Sequence, residues 1–325
     1  MSFILAGCDD EEGNAVIRLS DQNWDSAHFQ AEVAKIIIEE GYDYEVELVS
    51  GASIDLFRKT RHGEIDVFME GWLPNQQVAF NEAIEMEEIE LLSLVNDDSW
   101  QSLFVVPAYL IKGGENAEGD YIEPLAPGLA GISDLTRAEY RELFAVPQEP
   151  GTGRIHGCVA GSECENIGHM QLSAYGLDDD YTLVVHPTLD VLFDSLQSAY
   201  DAGEPWLGYV WGPTWIAGLL DLTRLQEPAF DKTIWDETKG CAFPDAELFI
   251  ACNTDFPDKA PGVADMFRGW QIDTATLSEV LAHMYESGDD PEDAAIWFLK
   301  NRKDLWTQFV PADRADKVMD AVAKM

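Results

Sequence analysis

The chain has 325 residues, 46% of them hydrophobic, which is enough for two domains that each bury a core. Its formal net charge is −41, and a surface this acidic repels nucleic acids and anionic membranes. The composition therefore excludes nucleic acid as a partner and leaves a membrane contact only through a covalent lipid anchor.

The N-terminal segment carries a short targeting signature. Cys8 follows Leu5-Ala6-Gly7 and precedes a polar run, which resembles a bacterial lipoprotein cleavage site. This pattern predicts lipidation of Cys8, with residues 1–14 as the cleavage segment and tether. Only seven residues precede Cys8, fewer than a full signal peptide has, so a chance match is the alternative.

The remaining four cysteines form two pairs that are close in sequence. Cys158 and Cys164 flank Gly161, and Cys241 and Cys252 are also near each other. An even number of cysteines in short-range pairs is typical of disulfides in an oxidising compartment. Four buried thiols fit the same count, so the composition leaves both alternatives open.

The chain then alternates between strand and helix patterns. Three apolar segments predict strands, and helical spacing between them predicts two helices, the first ending at Gly41. The strands are Ala15–Ser20, Tyr44–Leu48 and Ile65–Phe68, and the helices are 23–41 and Asp55–His62. This order predicts a parallel sheet with right-handed crossovers. Trp72 follows the third strand, just before Pro74.

A second domain follows a stretch rich in proline and glycine. Apolar residues at Ser102–Val106 and Leu110 predict a strand before this stretch, and Leu248–Cys252 predicts a strand that returns the chain to the first domain. We therefore expect a first lobe of residues 15–106 plus 248–325 and a second lobe of residues 107–247. Two crossings between α/β lobes predict a hinged protein with its ligand in the cleft.

The aromatic segment Gly208–Trp215 is the strongest candidate for binding. Tyr209 and Trp211 alternate along a predicted strand and share one face, and Gly212-Pro213 ends the strand before Trp215. Ligands of open α/β sheets bind at such strand ends. Tryptophan faces attract methylated ammonium groups. The alternative is that each tryptophan is a core residue.

The sequence contains no recognisable catalytic assembly. A glycine-rich phosphate loop, a nucleophile elbow and a metal-ligand spacing are all missing from it. The carboxylates of Glu70, Glu163 and Glu165 are enzyme-like, but nothing fixes two of them at a catalytic separation. We therefore predict a protein that is not an enzyme and uses neither cofactor nor metal.

Three segments together resemble the glycine-betaine-binding proteins of osmoprotectant ABC importers. They are GWLPNQ at Gly71–Gln76, Gly157–Leu177 and GYVWGPTW at Gly208–Trp215, and the resemblance extends over about residues 15–310. It implies an α/β, two-lobed periplasmic-binding-protein fold of type II and no catalysis. It also implies a periplasmic or cell-surface protein, lipid-anchored or secreted, that delivers a methylated-ammonium solute to an ABC permease and its ATPase.

The resemblance also implies roles for individual residues. It places Trp72 and Trp211 on two walls of a trimethylammonium cage, and it places Cys158 and Cys164 in a disulfide. Backbone N–H groups of the loop around Cys164 would hold the carboxylate of the ligand. Gln76 stands where similar proteins have a histidine that donates to the same carboxylate.

The chain departs from the family pattern within this loop. Ser162-Glu163 stands where similar proteins have Trp-Gly, so one cage wall is missing from its usual position. Trp24 and Trp215 are the candidates to replace it. Tyr209 is a further candidate ligand-binding residue. The backbone donors and the resemblance make glycine betaine the expected ligand, and the acidic residue beside the carboxylate subsite makes trimethylamine N-oxide or choline the alternatives. A sensor domain of the same fold without transport is the other alternative.

Overall fold

The structure is a computed structural model that describes residues 15–73, 76–115, 119, 121–146 and 148–325, without the side chains of Glu115 and Glu163. The predicted lipidation site Cys8 and the tether of residues 1–14 lie outside the described residues. The chain divides into two compact units. Unit 1 runs to Asp97 and resumes over Glu247–Met325, and unit 2 is Asp98–Ala246.

The strands of the described chain are numbered in sequence order. They are β1 (Val16–Gln22), β2 (Glu45–Gly51), β3 (Val67–Leu73), β4 (Ile89–Pro107), β5 (Gly114–Glu115), β6 (Tyr121–Ile122), β7 (Gly153–Val159), β8 (Tyr181–His186), β9 (Gly208–Gly212), β10 (Leu222–Arg224) and β11 (Ala246–Asn253).

The helices are numbered in the same way. They are α1 (Asp25–Tyr42), α2 (Ser53–Arg61), α3 (Gln77–Glu85), α4 (Tyr109–Lys112), α5 (Ala138–Leu143), α6 (Glu163–Ala174), α7 (Leu189–Ala202), α8 (Trp215–Leu219), α9 (Lys232–Glu237), α10 (Phe256–Lys259), α11 (Pro261–Arg268), α12 (Thr274–Ser287), α13 (Pro291–Asn301), α14 (Lys303–Trp306) and α15 (Ala312–Val322), with a 3₁₀ helix at Ile132–Thr136.

The sheet of unit 1 has the order β2-β1-β3-β11, followed by β4. The strand β1 is parallel to both β2 and β3, as the β-α-β-α-β pattern predicts. The strand β11 is antiparallel to β3 and pairs Leu248 with Trp72. This pairing extends the third strand to Leu73, so the prediction that it ends at Phe68 is wrong and Trp72 lies inside the strand.

The first helix buries an apolar face in the core of unit 1. Its residues Phe29, Val33 and Ile37 are fully buried, as their helical spacing predicts. The prediction that Gly41 ends this helix is wrong, because the helix continues to Tyr42. A Cβ on Gly41 would lie 3.1 Å from Val318 of α15, so this glycine permits close packing between the two helices.

The sheet of unit 2 has the order β4-β9-β7-β8, and β10 also pairs with β4. The strand β7 is parallel to β8 and β9, whereas β4 is antiparallel to β9. The prediction of a strand from Ser102 to Leu110 is wrong at both ends. The strand β4 begins at Ile89, and Leu110 lies in the short helix α4.

The C-terminal segment is helical, as predicted. Asp290 caps α13 by accepting a hydrogen bond from the backbone N–H of Asp293 at 3.0 Å, and Pro291 occupies the first helical position. No helix in the described part of the chain is long and apolar enough to cross a membrane.

The cysteines correct one of the two predicted pairings. Cys158 and Cys164 form a disulfide, with Cα atoms 5.8 Å apart. Cys241 and Cys252 are free and fully buried, so the prediction that they pair is wrong. Cys241 packs beside the backbone of Asp231 in unit 2, whereas Cys252 belongs to β11, where it pairs with Val67 in the ladder of unit 1.

The thiol chemistry of the folded chain follows from this arrangement. Alkylation under native conditions without a reductant is expected to leave all four of these cysteines unmodified, because two are bonded and two are buried. Alkylation after unfolding without a reductant should label Cys241 and Cys252 only. Peptide mass spectrometry is the measurement, and labelling of Cys158 in the unfolded, unreduced chain would contradict the disulfide.

Candidate functional site

A buried carboxylate lies at the centre of the candidate residues of unit 1. Glu70, on β3, is fully buried, and its Oε1 atom accepts hydrogen bonds from the indole nitrogens of Trp24 at 2.7 Å and Trp72 at 3.0 Å. The Ser26 hydroxyl donates to the same oxygen at 2.9 Å. Both indole nitrogens are therefore held by a single oxygen atom.

The strand order brings Trp24 and Trp72 together. Trp24 lies two residues after β1 and Trp72 lies near the end of β3, and these two strands are parallel neighbours. Their carboxyl ends consequently meet at one edge of the sheet, where ligands of open α/β sheets bind. Both tryptophans are half-buried.

The second oxygen of Glu70 also has a fixed partner. The Gln30 side chain donates to Oε2 from its Nε2 atom at 2.6 Å, and its own Oε1 accepts from the indole of Trp270 at 3.1 Å. An indole nitrogen can only donate, so Trp270 fixes which end of the Gln30 amide faces Glu70. Burial raises the pKa of Glu70, and the hydrogen bonds from its four side-chain donors oppose that rise.

Gln76 supports the backbone of Trp72. Its Oε1 accepts from the backbone N–H of Trp72 at 2.9 Å, and its Nε2 donates to the hydroxyl of Ser53 at 2.9 Å. One N–H of the amide remains beyond these two bonds. The structure thus gives Gln76 a role in holding Trp72, and its predicted contact with a ligand stays a prediction.

Unit 2 has an aromatic group at the end of β9. The ring of Trp211 lies 5.1 Å from that of Phe193 on α7 and 5.7 Å from that of Tyr209. Tyr209 is 5% exposed and donates its hydroxyl to Gln101 at 2.9 Å, whereas Trp211 is half-buried. Tyr209 therefore holds the position of Trp211, and Trp211 is the ring of this strand that is accessible.

Trp215 begins helix α8 and is buried. It packs edge-on against Phe193, with ring centroids 5.8 Å apart, and is only 9% exposed. The turn before it is closed by Thr214, whose hydroxyl donates to the carbonyl of Trp211 at 2.8 Å. Trp24, with its half-buried ring, is consequently the better candidate for the missing cage wall than Trp215.

The disulfide loop lies at the same edge of the unit 2 sheet as Trp211. Cys158 is near the end of β7, which is parallel to β9, and Cys164 is in the first turn of α6. Ser162 caps this helix by accepting from the N–H of Glu165 at 3.4 Å. The first-turn N–H groups of a helix have no intrahelical acceptor and favour an anion. Glu163 begins the helix, and its side chain lies outside the described residues.

A pair of histidines on β7 and β8 lies near the disulfide loop, where the backbone N–H of Ala160 donates to the carbonyl of His186 at 2.9 Å. His156 on β7 stacks on His186 at the end of β8, with ring centroids 5.2 Å apart, and their nitrogens are 3.1 Å apart. Burial lowers the pKa of His156 to about 4, so its imidazole is neutral near pH 7. The ring of Trp206 stacks on the other side of His156 at 5.2 Å. These contacts make the pair part of the packing that supports the loop.

Two residues of these groups have roles that sequence reasoning misses. The sequence presents Glu70 only as an isolated carboxylate, although it holds both indoles of unit 1, and it presents Phe193 only as part of a helix. The sequence signal for Glu70 is its position two residues before Trp72 on a buried strand. Within the described ranges, no three His, Cys, Asp or Glu side chains are grouped so that they could hold a metal ion.

Comparison with known proteins assigns the chain to a family. Residues 15–301 match the family OpuAC, described as the substrate binding domain of an ABC-type glycine betaine transport system. The chain belongs to the OpuAC family. Members of this family are substrate-binding transport proteins rather than enzymes.

Two curated relatives support this membership in the OpuAC family. The trimethylamine N-oxide-binding protein of Pelagibacter ubique is 27% identical over 190 residues, which are 57% of this chain and 59% of that protein. The glycine betaine-binding periplasmic protein OusX of Dickeya dadantii is 24% identical over 191 residues, 54% of this chain and 57% of that protein. The matches thus span less than two thirds of these relatives.

A solved structure supports the fold predicted for this chain. The glycine betaine, L-proline-binding protein ProX of Borrelia burgdorferi superposes with a TM-score of 0.66 at 18% identity, covering 94% of this chain and 100% of that one. The predicted α/β substrate-binding-protein fold is therefore confirmed.

Proposed function

We propose that the chain is an extracytoplasmic solute-binding protein that delivers a methylated-ammonium solute to an ABC permease and its ATPase. The observation that carries this proposal is the pair of half-buried tryptophans, Trp24 and Trp72, whose indole nitrogens are both bound to the buried Glu70. Rings held by their nitrogens keep a fixed orientation, as a cation–π site requires. Membership in the OpuAC family supports the same assignment.

Trp211 of unit 2 is the third proposed ring of the site. It is half-buried, whereas Tyr209 and Trp215 on either side of it are buried and hold its surroundings. A methylammonium group loses little hydration on leaving water, so each well-placed ring contributes about 0.5–2 kcal/mol. We propose that Trp24, Trp72 and Trp211 are the rings that bind the cationic head.

The other end of the ligand is proposed to bind at the start of α6. The backbone N–H of Cys164 lies in the first turn of this helix, where an oxyanion is favoured. The disulfide from Cys158 and the cap by Ser162 hold this turn in place. A ligand with a cationic head and a carboxylate, such as glycine betaine, satisfies both ends.

Trimethylamine N-oxide is the second candidate ligand. A relative of this chain is a trimethylamine N-oxide-binding protein. Glu163 is the first residue of α6, so the residue before Cys164 is acidic. If its carboxyl group faces the ligand, the ionised form disfavours a carboxylate ligand and can accept from the hydroxyl of choline, whereas the protonated form can donate to an N-oxide.

The cellular setting completes the proposal. Curated relatives are named as periplasmic proteins, and we place this chain likewise in the periplasm or at the cell surface. The disulfide between Cys158 and Cys164 agrees with an oxidising compartment. Lipidation of Cys8 remains a prediction, and we propose no catalytic activity for the chain.

Titration calorimetry with a panel of ligands tests the function. At least one of glycine betaine, trimethylamine N-oxide and choline should bind with a dissociation constant in the micromolar range or below. L-proline, which has no methylated ammonium group, serves as the control. Failure of all three methylated ligands to bind the folded chain would contradict the proposal.

The variant Glu163→Gln, measured at pH 6 and pH 8, should bind choline more weakly and glycine betaine equally well or more tightly if that carboxylate faces the ligand. A small uniform change would place it elsewhere.

A further inference from the structure

The strongest unexplained feature of unit 1 is the set of donors around Glu70. Its carboxylate accepts from the indoles of Trp24 and Trp72, from the hydroxyl of Ser26 and from the amide of Gln30, at 2.6–3.0 Å. It is fully buried, and none of these four partners carries a charge. A buried carboxylate without a cationic partner is costly to maintain, which calls for a compensating role.

The donor set is complementary to an ionised carboxylate. Indole nitrogens can only donate, and Trp270 fixes the Gln30 amide so that its N–H side faces Glu70. A protonated carboxyl would need an acceptor for its own hydrogen, and three of its four neighbours offer none. The hydrogen bonds thus favour the charged state of this residue.

We propose that Glu70 is the counter-charge and positioning residue of the cation subsite, and that it selects permanently charged methylammonium heads over neutral groups of the same shape. This inference rests on the proposed function and adds to it the residue that sets the sign of the charge. Glu70 acts through the indoles, since both rings that face the proposed head are held by its Oε1 atom.

Two physical effects combine in this arrangement. A negative charge that accepts from an indole N–H makes the ring face more negative, and the charge itself attracts a cation through a medium of low dielectric constant. A neutral tert-butyl group has the shape of trimethylammonium but gains from neither effect. The selectivity of the subsite for charge should therefore depend on residue 70, while its fit to the methyl groups should depend on the rings.

Pairs of ligands that differ only in charge test the proposal. Glycine betaine is compared with 3,3-dimethylbutanoate, and choline with 3,3-dimethylbutan-1-ol, by calorimetry or by competition at millimolar concentration. In Glu70→Gln the affinity for the cationic member that binds the unmodified chain is expected to fall at least about tenfold. The affinity for the partner with the uncharged tert-butyl head should change less than about threefold, so the ratio between the two affinities should shrink.

A carboxylate in unit 2 provides the matched control. Glu227 also has a pKa raised by burial, and it accepts from the hydroxyls of Tyr175 at 3.0 Å and Ser102 at 3.2 Å. Among the described residues, its donors include no indole. The variant Glu227→Gln removes the same charge from a partly buried site whose described donors are not indoles, and we expect it to leave the affinity ratio unchanged.

Glu70→Asp keeps the experiment decisive if Glu70→Gln does not fold. The shorter side chain retains the charge while weakening contacts with its donors, so preference for the cationic ligand should persist at reduced affinity. An equal loss for charged and neutral ligands in Glu70→Gln, or loss of charge preference in Glu70→Asp, would overturn the proposal. Absence of methylammonium binding by the unmodified chain would instead refute the proposed function.

Discussion

Replacing Trp72 or Trp211 with alanine is expected to weaken binding of the methylated ligand by at least tenfold in each case. One well-placed ring contributes about 0.5–2 kcal/mol to a cation, and tenfold corresponds to about 1.4 kcal/mol. Both side chains are half-buried, so their removal takes less from the core than removal of a fully buried tryptophan. Calorimetry of the two variants measures this loss directly.

The stability of the ligand-free variants separates a binding role from a core role. Trp211→Ala should leave the midpoint of thermal unfolding nearly unchanged. Trp72→Ala should lower it by a few degrees, because Glu70 loses one donor worth about 0.5–1.5 kcal/mol. Early unfolding of both variants, with normal binding by the folded fraction, would show that these rings belong to the core.

Trp235 offers a matched control for these two variants. It is also half-buried, but its ring already has the Lys239 ammonium over it, 4.6 Å from the centroid. It packs against Phe243 and lies on α9 rather than on a strand that carries a candidate ring. The variant Trp235→Ala should bind with unchanged affinity.

The largest effect on stability is expected from Gly71→Ala. A Cβ at this position would lie 2.0 Å from Cζ of Phe249, far inside van der Waals contact. Phe249 is fully buried and packs against Phe80 at 4.7 Å and Phe68 at 6.2 Å, so its ring has no room to move. We expect the free energy of unfolding to fall by about 2–3 kcal/mol, measured by urea denaturation.

Two companion variants make this prediction specific. Gly262→Ala places a Cβ at 3.4 Å from Tyr42, an ordinary contact at the start of α11, and should be neutral or slightly stabilising. Adding Phe249→Leu to Gly71→Ala should recover part of the lost stability, because the smaller side chain vacates the space. If the double variant is less stable by the sum of the two single effects, the proposed collision is wrong.

The parts of the fold that the sequence predicts are those with local signals. The order β1-α1-β2-α2-β3 follows from apolar periodicity within short windows, and the parallel pairing follows from that order. The antiparallel pairing of β11 with β3 has no such signal, since its partners are far apart in the chain. The same distant pairing explains why the sequence places the end of the third strand too early, at Phe68 instead of Leu73.

The first half of strand β4 escapes prediction for another reason. Polar residues at Ser93, Asn96 and Ser99 interrupt the apolar pattern, yet all three are buried. Asn96 is accommodated because its amide donates to the carbonyl of Ile272 at 3.1 Å. A partner contributed by another part of the chain makes a buried polar side chain acceptable, and single-sequence periodicity does not register such a partner.

The candidate site shows the same division. Trp72 and Trp211 can be found from aromatic residues near predicted strand ends, and the Cys158–Cys164 disulfide agrees with the family resemblance. The role of Glu70 cannot be found in this way, because its partners on and before α1 lie 40–46 residues earlier in the chain. Proximity in sequence also gives the wrong answer for Cys241 and Cys252, whose neighbours are set by the fold.

The hydrogen bonds that connect Trp270, Gln30 and Glu70 have a consequence for protein design. Each of these bonds runs in one direction, from the donor on Trp270 to Gln30 and from Gln30 to Glu70. Converting the subsite to accept an uncharged solute by changing position 70 alone would leave several buried donors without an acceptor, each costing about 1–3 kcal/mol. Residues 30, 70 and 270 therefore have to be changed together. A library of variants that changes the aromatic rings but keeps these three residues would alter the shape of the subsite without altering its preference for a charged ligand.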